Sequence, residues 1–350
     1  MNHQADSLIQ VVIPTWNGKE LLTACLHSLG QQTVTPAEIT VVDNGSSDGT
    51  GEYLRRHHPG VQLLSMQKNK GFSAAVNSGI RAGKAPLVFL LNNDTELAPD
   101  CLERLQAAAA EHRHAACFAP KMLSHAQRHI LDGAGDGYLR GGAGYRLGTM
   151  ERDSGRYDRP GPVFGPCAGA ALYRRELFSA VGMFDEDFFA YLEDVDLNLR
   201  INRAGLTCRY VPAAVVFHVG SATTGSRINP FTVKLSTRNS FYVLLKNYSP
   251  ALFLRLLPVI LIYQFFWLLF ALKKGQIIPY LAGLVQVLPR IPAMRRKYRG
   301  FRNREQLDDR QFRHCLQQAE KEVIASIMNR RREKGKGNGL LRLYGRIFLG

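Results

Sequence analysis

Apolar and polar positions follow two rhythms through the first hundred residues. Short apolar runs, Ile9-Gln10-Val11-Val12-Ile13, Ile39-Thr40-Val41-Val42, residues 61–65 and Leu87-Val88-Phe89-Leu90-Leu91, alternate with stretches where apolar residues recur at helical spacing, as in Leu21, Leu22, Cys25, Leu26 and Leu29. The first rhythm predicts buried strands and the second predicts amphipathic helices. Ser47 or Asp48 supplies an N-cap for the helix after the second strand, and Asn69-Lys70-Gly71-Phe72-Ser73 opens another that runs to about Arg81. The order β-α-β-α-β-α-β predicts an α/β fold, a mostly parallel sheet covered by crossover helices.

Beyond Asp100 the pattern changes. An alanine-rich helix to about His112 precedes a short strand around Cys117-Phe118-Ala119. Residues 131–166 are crowded with Gly, Asp and Arg without periodicity, which predicts a long, partly mobile connection. Gly169-Ala170-Ala171-Leu172-Tyr173 reads as a strand with small residues at a close approach, 175–181 as a short helix, 193–204 as a helix ended by Gly205, and 207–211 and 214–219 as two strands. Residues 252–272 are apolar over a length that spans a bilayer, but Arg255, Pro258 and Gln264 interrupt them and 277–288 form a weaker second run. An in-plane or re-entrant helix pair therefore competes with a true span, and a soluble helical subdomain or dimer interface is the remaining alternative. Residues 302–332 read as surface helix, 334–339 as a flexible linker and 340–349 as a short basic, apolar tail.

The polar interruptions fall at informative points. Asp43 closes the second strand, Asn92-Asn93-Asp94 closes the fourth, Glu193-Asp194 opens a helix and His218 lies near the end of the last strand. Each has a structural reading: Asp94 can begin a turn before Pro99, Glu193, Asp194 and Asp196 suit a helix dipole, and a lone histidine is ordinarily structural. Together they sit where open α/β sheets bind ligands. Neither GxGxxG nor GxxxxGK[ST] is present, so a diphosphate would need a divalent cation held by carboxylates. Three acids so close together also raise a carboxyl pKa, which suits proton transfer.

Charge adds a partner. Of the net +16, residues 251–350 carry 20 Lys and Arg against 6 Asp and Glu, leaving the first 250 nearly neutral. A basic region that follows an apolar segment predicts an anionic membrane surface, with no nucleic acid expected. Six scattered cysteines without CxxC argue against a zinc site or a disulfide framework and fit a reducing cytosol. The short polar start before the first strand predicts no secretory signal.

Val12-Ile13-Pro14-Thr15-Trp16-Asn17, Val41-Val42-Asp43-Asn44-Gly45-Ser46-Ser47-Asp48-Gly49-Thr50, Asn69-Lys70-Gly71-Phe72, Leu90-Leu91-Asn92-Asn93-Asp94-Thr95 and Phe189-Ala190-Tyr191-Leu192-Glu193-Asp194-Val195-Asp196-Leu197 occur in an order that resembles the family 2 glycosyltransferases. The likeness is to the bacterial rhamnosyltransferase-like branch that builds cell-surface polysaccharides, and Arg238-Asn239 to Lys246-Asn247-Tyr248 extends it. It implies a Rossmann-like catalytic domain of GT-A type over residues 1–250 and a basic, helical, membrane-associating region over 251–350. The implied reaction is inverting transfer of a sugar, rhamnose being one candidate, from a nucleotide-diphosphate donor to a lipid-linked saccharide. The implied location is the cytoplasmic face of the cell membrane, peripheral or monotopic. By position, Pro14, Thr15 and Asn17 would line the nucleotide pocket, Asp43 would meet the base or ribose, and Asn69, Lys70 and Gly71 would continue the pocket. Asn92, Asn93 and Asp94 stand where the family has Asp-x-Asp, with Asn92 offering a neutral oxygen in place of the first acid. Asp94 and His218 would hold Mg²⁺ or Mn²⁺, and Asp194, or else Glu193, would be the base. Two alternatives are a sugar-nucleotide pyrophosphorylase, whose glycine-rich basic signature after the first strand is missing, and a non-catalytic basic protein binding membrane or nucleic acid. Removal of 251–350 is expected to release a soluble catalytic domain.

Overall fold

The computed structural model describes residues 7–220 and 228–350. The chain begins as the two rhythms predict: β1 (Ile9–Thr15), α1 (Lys19–Gly30), β2 (Glu38–Asp43), α2 (Thr50–His57), β3 (Gln62–Ser65), α3 (Phe72–Ala82) and β4 (Leu87–Leu91). Strands β3, β2, β1 and β4 lie side by side and parallel. All five residues of β4 are buried, as its unbroken apolar run requires of a strand covered on both faces. Gln10, buried within β1, is satisfied by Thr40 Oγ1, Gly79 O and Arg175 Nη2. Helix α2 is capped differently from the expectation: Gly49 is its N-cap residue, while the Asp48 carboxylate accepts from Thr50 N one position further in.

After β4 come β5 (Thr95–Leu97), α4 (Cys101–Glu111), β6 (Ala115–Ser124), β7 (Leu131–Gly133), β8 (Asp136–Leu139), β9 (Ala143–Arg146), β10 (Gly161–Val163), β11 (Ala170–Arg174), α5 (Glu176–Val181), α6 (Glu193–Arg203) and β12 (Thr207–His218). The sheet runs β10-β12-β6-β11-β4-β1-β2-β3, with β11 antiparallel to β4 and β5 paired to the end of β12. Strand β6 runs ten residues where a short strand was expected, and Thr207–His218 form one strand where two were expected. Its ladder with β6 shifts register between Val211 and Val215, around Pro212, which has no N–H to donate.

Residues 131–166 are not a mobile connection. They pair as β7 on β6 and as a β8–β9 hairpin that is largely buried. The glycines misled because their role here is close packing. A Cβ at Gly133 would stand 2.3 Å from Arg146 Cγ, one at Gly137 2.5 Å from Val323 Cγ2, and one at Gly144 2.5 Å from Val195 Cγ2.

The remaining helices are α7 (Pro230–Asn247), α8 (Pro250–Lys273), α9 (Ile277–Val287), α10 (Ile291–Phe301), α11 (Asp309–Glu333) and α12 (Gly339–Phe348). They share a core with the sheet region: Tyr138, Phe164, Phe188, Val195 and Leu199 cluster with Tyr242, Leu252, Leu256, Ile260, Phe312 and Leu316. Buried ion pairs cross the same boundary, Arg140 with Glu320 and Lys246 with both Asp185 and Asp196.

Candidate active site

The C-terminal ends of β1 and β4 and the N-terminus of α6 open onto one cavity of about 600 Å³. Pro14, Thr15, Asn69, Gly71, Asn92, Asn93, Asp94, Glu193, Asp194 and His218 line it. Asn17, Asp43 and Lys70 are not among its lining residues: Asn17 and Lys70 are exposed and Asp43 is buried. Asn17 takes Ser47 N on its Oδ1 and gives its own N–H to Ser46 Oγ, while Asp43 Oδ1 accepts from Ser46 N. These bonds brace the Ser46–Ser47 turn. Asn44 links β2 to the next part of the wall, accepting from Lys70 N and donating to Asn69 Oδ1 and Gly71 O. Gly71 has φ +89°, and a Cβ there would lie 2.5 Å from Phe189 O, so only glycine lets the turn close on the Phe189 backbone.

Strand pairing brings Asp94 to His218. Antiparallel register sets Thr95 opposite His218, and the Asp94 carbonyl takes Val219 N. Asp94 Oδ1 then lies 3.3 Å from His218 Nε2, and His218 Nδ1 lies 2.7 Å from Asp132 Oδ2. Burial pushes the Asp94 carboxyl up, but its hydrogen bond to His218 and the imidazole charge prevail and hold it below the usual range. Hydrogen bonds to Asp132 and Asp94 outweigh burial at His218 and raise its pKa, favouring the ring that carries a proton on both nitrogens. A divalent cation can take the place of that proton. Two donors about 2.1 Å from an octahedral ion on adjacent corners are about 3 Å apart, close to the separation here, and Asp132 behind the ring fixes its tautomer.

The first turn of α6 brings further carboxyls to the same cavity. Asp194, partly exposed to the cavity, accepts from Val195 N and Ala168 N. Burial raises its pKa against the pull of those N–H groups and of Arg146. Glu193 is raised well above the ordinary range by burial and then by the charge of Asp194, and its Oε2 is enclosed without a hydrogen-bond partner. Asp196 takes the reverse course. Burial is overcome by Arg200 and Lys246, and it stays ionised inside an ion network. The three acids of one helical turn thus have three different fates.

Sequence reasoning missed Asp132, Asp136, Arg146 and Cys167, all from stretches without periodicity. Donor atoms of Asp136, Cys167 and Asp194 lie within 4.8 Å of one another, a spacing a metal ion could use. Arg146 already neutralises that group: its Nη2 donates to Cys167 Sγ at 3.0 Å and its Nη1 pairs with Asp132. Phe189, Tyr191 and Phe231 form an aromatic edge, with ring centroids 6.2 and 6.4 Å apart. Of these, Phe189 and Tyr191 belong to the 189–197 motif read in the sequence.

Residues 10–182 match the family model described as glycosyl transferase family 2. Over 262 residues the chain is 30% identical to the N-acetylglucosaminyl-diphospho-decaprenol L-rhamnosyltransferase of Mycobacterium tuberculosis, covering 69% of this chain and 84% of that one. The chain belongs to glycosyl transferase family 2. Solved structures agree on the fold of this glycosyltransferase. GalNAc-T7, crystallised with UDP, GalNAc and Mn²⁺, superposes with a TM-score of 0.55 at 19% identity, over 68% of this chain and 47% of that one. Residues 1–349 of TarS from S. aureus superpose with a TM-score of 0.52 at 17% identity, over 89% and 91%. The glycosyltransferase therefore has a GT-A architecture, a mostly parallel sheet flanked by helices.

Proposed function

We propose that this glycosyltransferase moves a sugar, rhamnose first among candidates, from a nucleotide-diphosphate donor to a lipid-linked saccharide, with inversion and with Mg²⁺ or Mn²⁺ bound. The observation that carries the reading is one cavity lined by both the Asp94–His218 pair and Asp194. The Mycobacterium tuberculosis relative, named for rhamnosyl transfer to N-acetylglucosaminyl-diphospho-decaprenol, supports the acceptor class, and the Mn²⁺ of the GalNAc-T7 structure supports a divalent ion.

Asp94 and His218 would hold the ion, which supplies positive charge to the leaving diphosphate. Thr15, Asn69 and Gly71 bind the donor nucleotide. Asp194 takes the proton from the acceptor hydroxyl as that oxygen bonds to the anomeric carbon, and the bond from that carbon to the diphosphate oxygen breaks, its electron pair leaving with the diphosphate. One displacement inverts the anomeric centre. Asp194 is preferred to Glu193 because it is partly exposed where it lines the cavity, whereas Glu193 is buried and its Oε2 is enclosed. A lipid-linked acceptor sets the work at the cytoplasmic face of the membrane, where the basic region 251–350 attaches.

The test is incubation of the full-length protein with nucleotide-diphosphate sugars and N-acetylglucosaminyl-diphospho-polyprenol, with metal or with chelator. Inverted glycoside formed only with metal is the expected result. Product at an equal rate in chelator would remove the metal from the reading, and no consumption of any donor would overturn it.

A further inference from the structure

Helices α8 and α9 each carry an apolar stripe that no described residue covers. Leu254, Leu261, Phe265, Leu269 and Leu272 are exposed along α8, and Ile278, Leu281 and Val285 along α9, with Leu288 just beyond, reach 51–78% exposure. The stretches Pro250–Lys273 and Ile277–Arg304 are both long and apolar enough to cross a bilayer. What lies on their other side decides between crossing and lying flat.

Halfway along α8, Gln264 Nε2 donates to Gly141 O at 3.2 Å and to Ser240 Oγ at 3.0 Å, and Trp267 Nε1 donates to Thr237 Oγ1 at 2.8 Å. Tyr263 sits so close to Gly141 that a Cβ there would lie 2.1 Å from it. On α9, Gly283 packs against the Lys234 carbonyl and Thr237. All these partners belong to α7 or to the β8–β9 turn. A spanning α8 has its midpoint at the bilayer centre, and it would drag the catalytic body, with its polar sheet edges and loops, into hydrocarbon.

We propose that α8 and α9 lie in the plane of an anionic phospholipid bilayer, their outer stripes inserted at the headgroup boundary and the whole catalytic body on one side. The inference rests on the membrane-associating reading of 251–350 and deepens it. Charge names the partner: Arg255, Lys273, Lys274, Arg290 and Arg296 are exposed around the stripes, and no Asp or Glu occurs from 251 to 304. Each such cation adds attraction to an anionic surface. The seat also sets the cavity's height. Phe231, Thr232 and Ser236 of α7 line the cavity, while Lys234 and Thr237 of the same helix hold α9. The mouth is thus about one helix diameter, roughly 10 Å, from the bilayer, within reach of a saccharide carried on a lipid.

Full-length protein is floated with phosphatidylcholine vesicles with and without phosphatidylglycerol, none containing a saccharide lipid. Flotation with the anionic vesicles, weakened by salt and reduced at least tenfold by the double substitution Leu281→Glu, Val285→Glu, is expected. No flotation of the parent, or equal flotation of the double variant, overturns the seat. Sidedness is then read with Lys274→Cys and Lys84→Cys and a membrane-impermeant maleimide, against the parent as background. Both should label in inverted membrane vesicles and neither in intact spheroplasts. Labelling of Lys274→Cys in spheroplasts would mean that α8 spans, which overturns the in-plane geometry while leaving membrane attachment standing. Donor consumption with a water-soluble acceptor, unchanged in the Leu281, Val285 variant, reads the catalytic assignment separately.

Discussion

Asp194 and Asp136 face one another across Cys167, and burial raises both, but they differ in what they can reach. Asp194 opens to the cavity, so Asp194→Asn, similar in size but unable to take the proton as a carboxylate, should keep donor affinity while turnover falls by a factor on the order of 10²–10⁴. Isothermal titration with nucleoside diphosphate and single-turnover kinetics separate the two effects. If turnover survives and Glu193→Gln removes it, the base is Glu193. Asp136 is fully enclosed, its Oδ1 has no partner, and burial with the charge of Asp194 lifts its pKa to about 7. The folded state therefore binds a proton that the unfolded chain has lost above about pH 4, and stability should fall as pH rises from about 4 to about 7. Asp136→Asn removes this contribution. Urea midpoints at about pH 5 and about pH 8 should show the variant gaining stability relative to the parent at the higher value; a pH-independent difference would refute the assignment.

Between α5 and α6 lies a turn with an unusual backbone. Phe189, Tyr191 and Leu192 all have positive φ, 65°, 68° and 65°, in a segment that delivers Glu193 and Asp194 to the cavity. Two neighbours on α7 hold it: Asn239 Nδ2 donates to the carbonyls of Phe188, Ala190 and Tyr191, and Arg238 Nη2 to that of Phe188. Asn239→Leu leaves buried carbonyls unpaired. We expect a loss of about 1–3 kcal/mol in stability and a fall in turnover larger than any fall in donor affinity, measured by thermal unfolding and by kinetics with saturating donor. Elements of this kind mark where the sequence was readable. The parallel half of the sheet could be seen because β1, β2 and β4 are apolar runs with polar ends, and Asp94 and Asp194 could be named because their motifs are local, whereas His218 stands alone and was named by its place near a strand end and by the resemblance. Asp132, Asp136 and Arg146 could not. Their strands are three or four residues long, rich in glycine, and buried by contact with α11 and α6 far along the chain, so no period of two or 3.6 records them. The single strand β12 was misread as two for a local reason, since Pro212 breaks the ladder without ending the strand.

At the scale of the whole molecule, a cut at residue 250 passes through a shared interior. It would strip Glu320 from the buried Arg140, Lys297 from Asp185, and Glu305 and Asp309 from Arg203, besides removing half of one apolar cluster. Removing one member of a buried pair costs about 3–5 kcal/mol. The fragment 1–250 should therefore be insoluble or partly unfolded rather than a soluble catalytic domain. Circular dichroism and limited proteolysis of that fragment check this, and a cooperative melt at the parent's temperature would contradict it. Membrane release is better sought by point substitution on the exposed stripes.

The hairpin that carries Asp136 and Arg146 is held from below by α11: Gly148 N donates to Ser326 Oγ, and Ser326 in turn donates to Glu151. These partners are separated by 178 and 175 positions. A ribosome adding about 5–20 residues per second makes the first of each pair roughly 9–36 s before the second. During that interval Arg140 has no Glu320, and the wall that carries Asp132 and Arg146 lacks its support. The nascent chain thus carries the carboxylates of its cavity long before it can arrange them, with the apolar stripes of α8 and α9 emerging in between. A chaperone or the membrane itself has that interval in which to engage the chain, and catalytic competence begins only as the last helices are made.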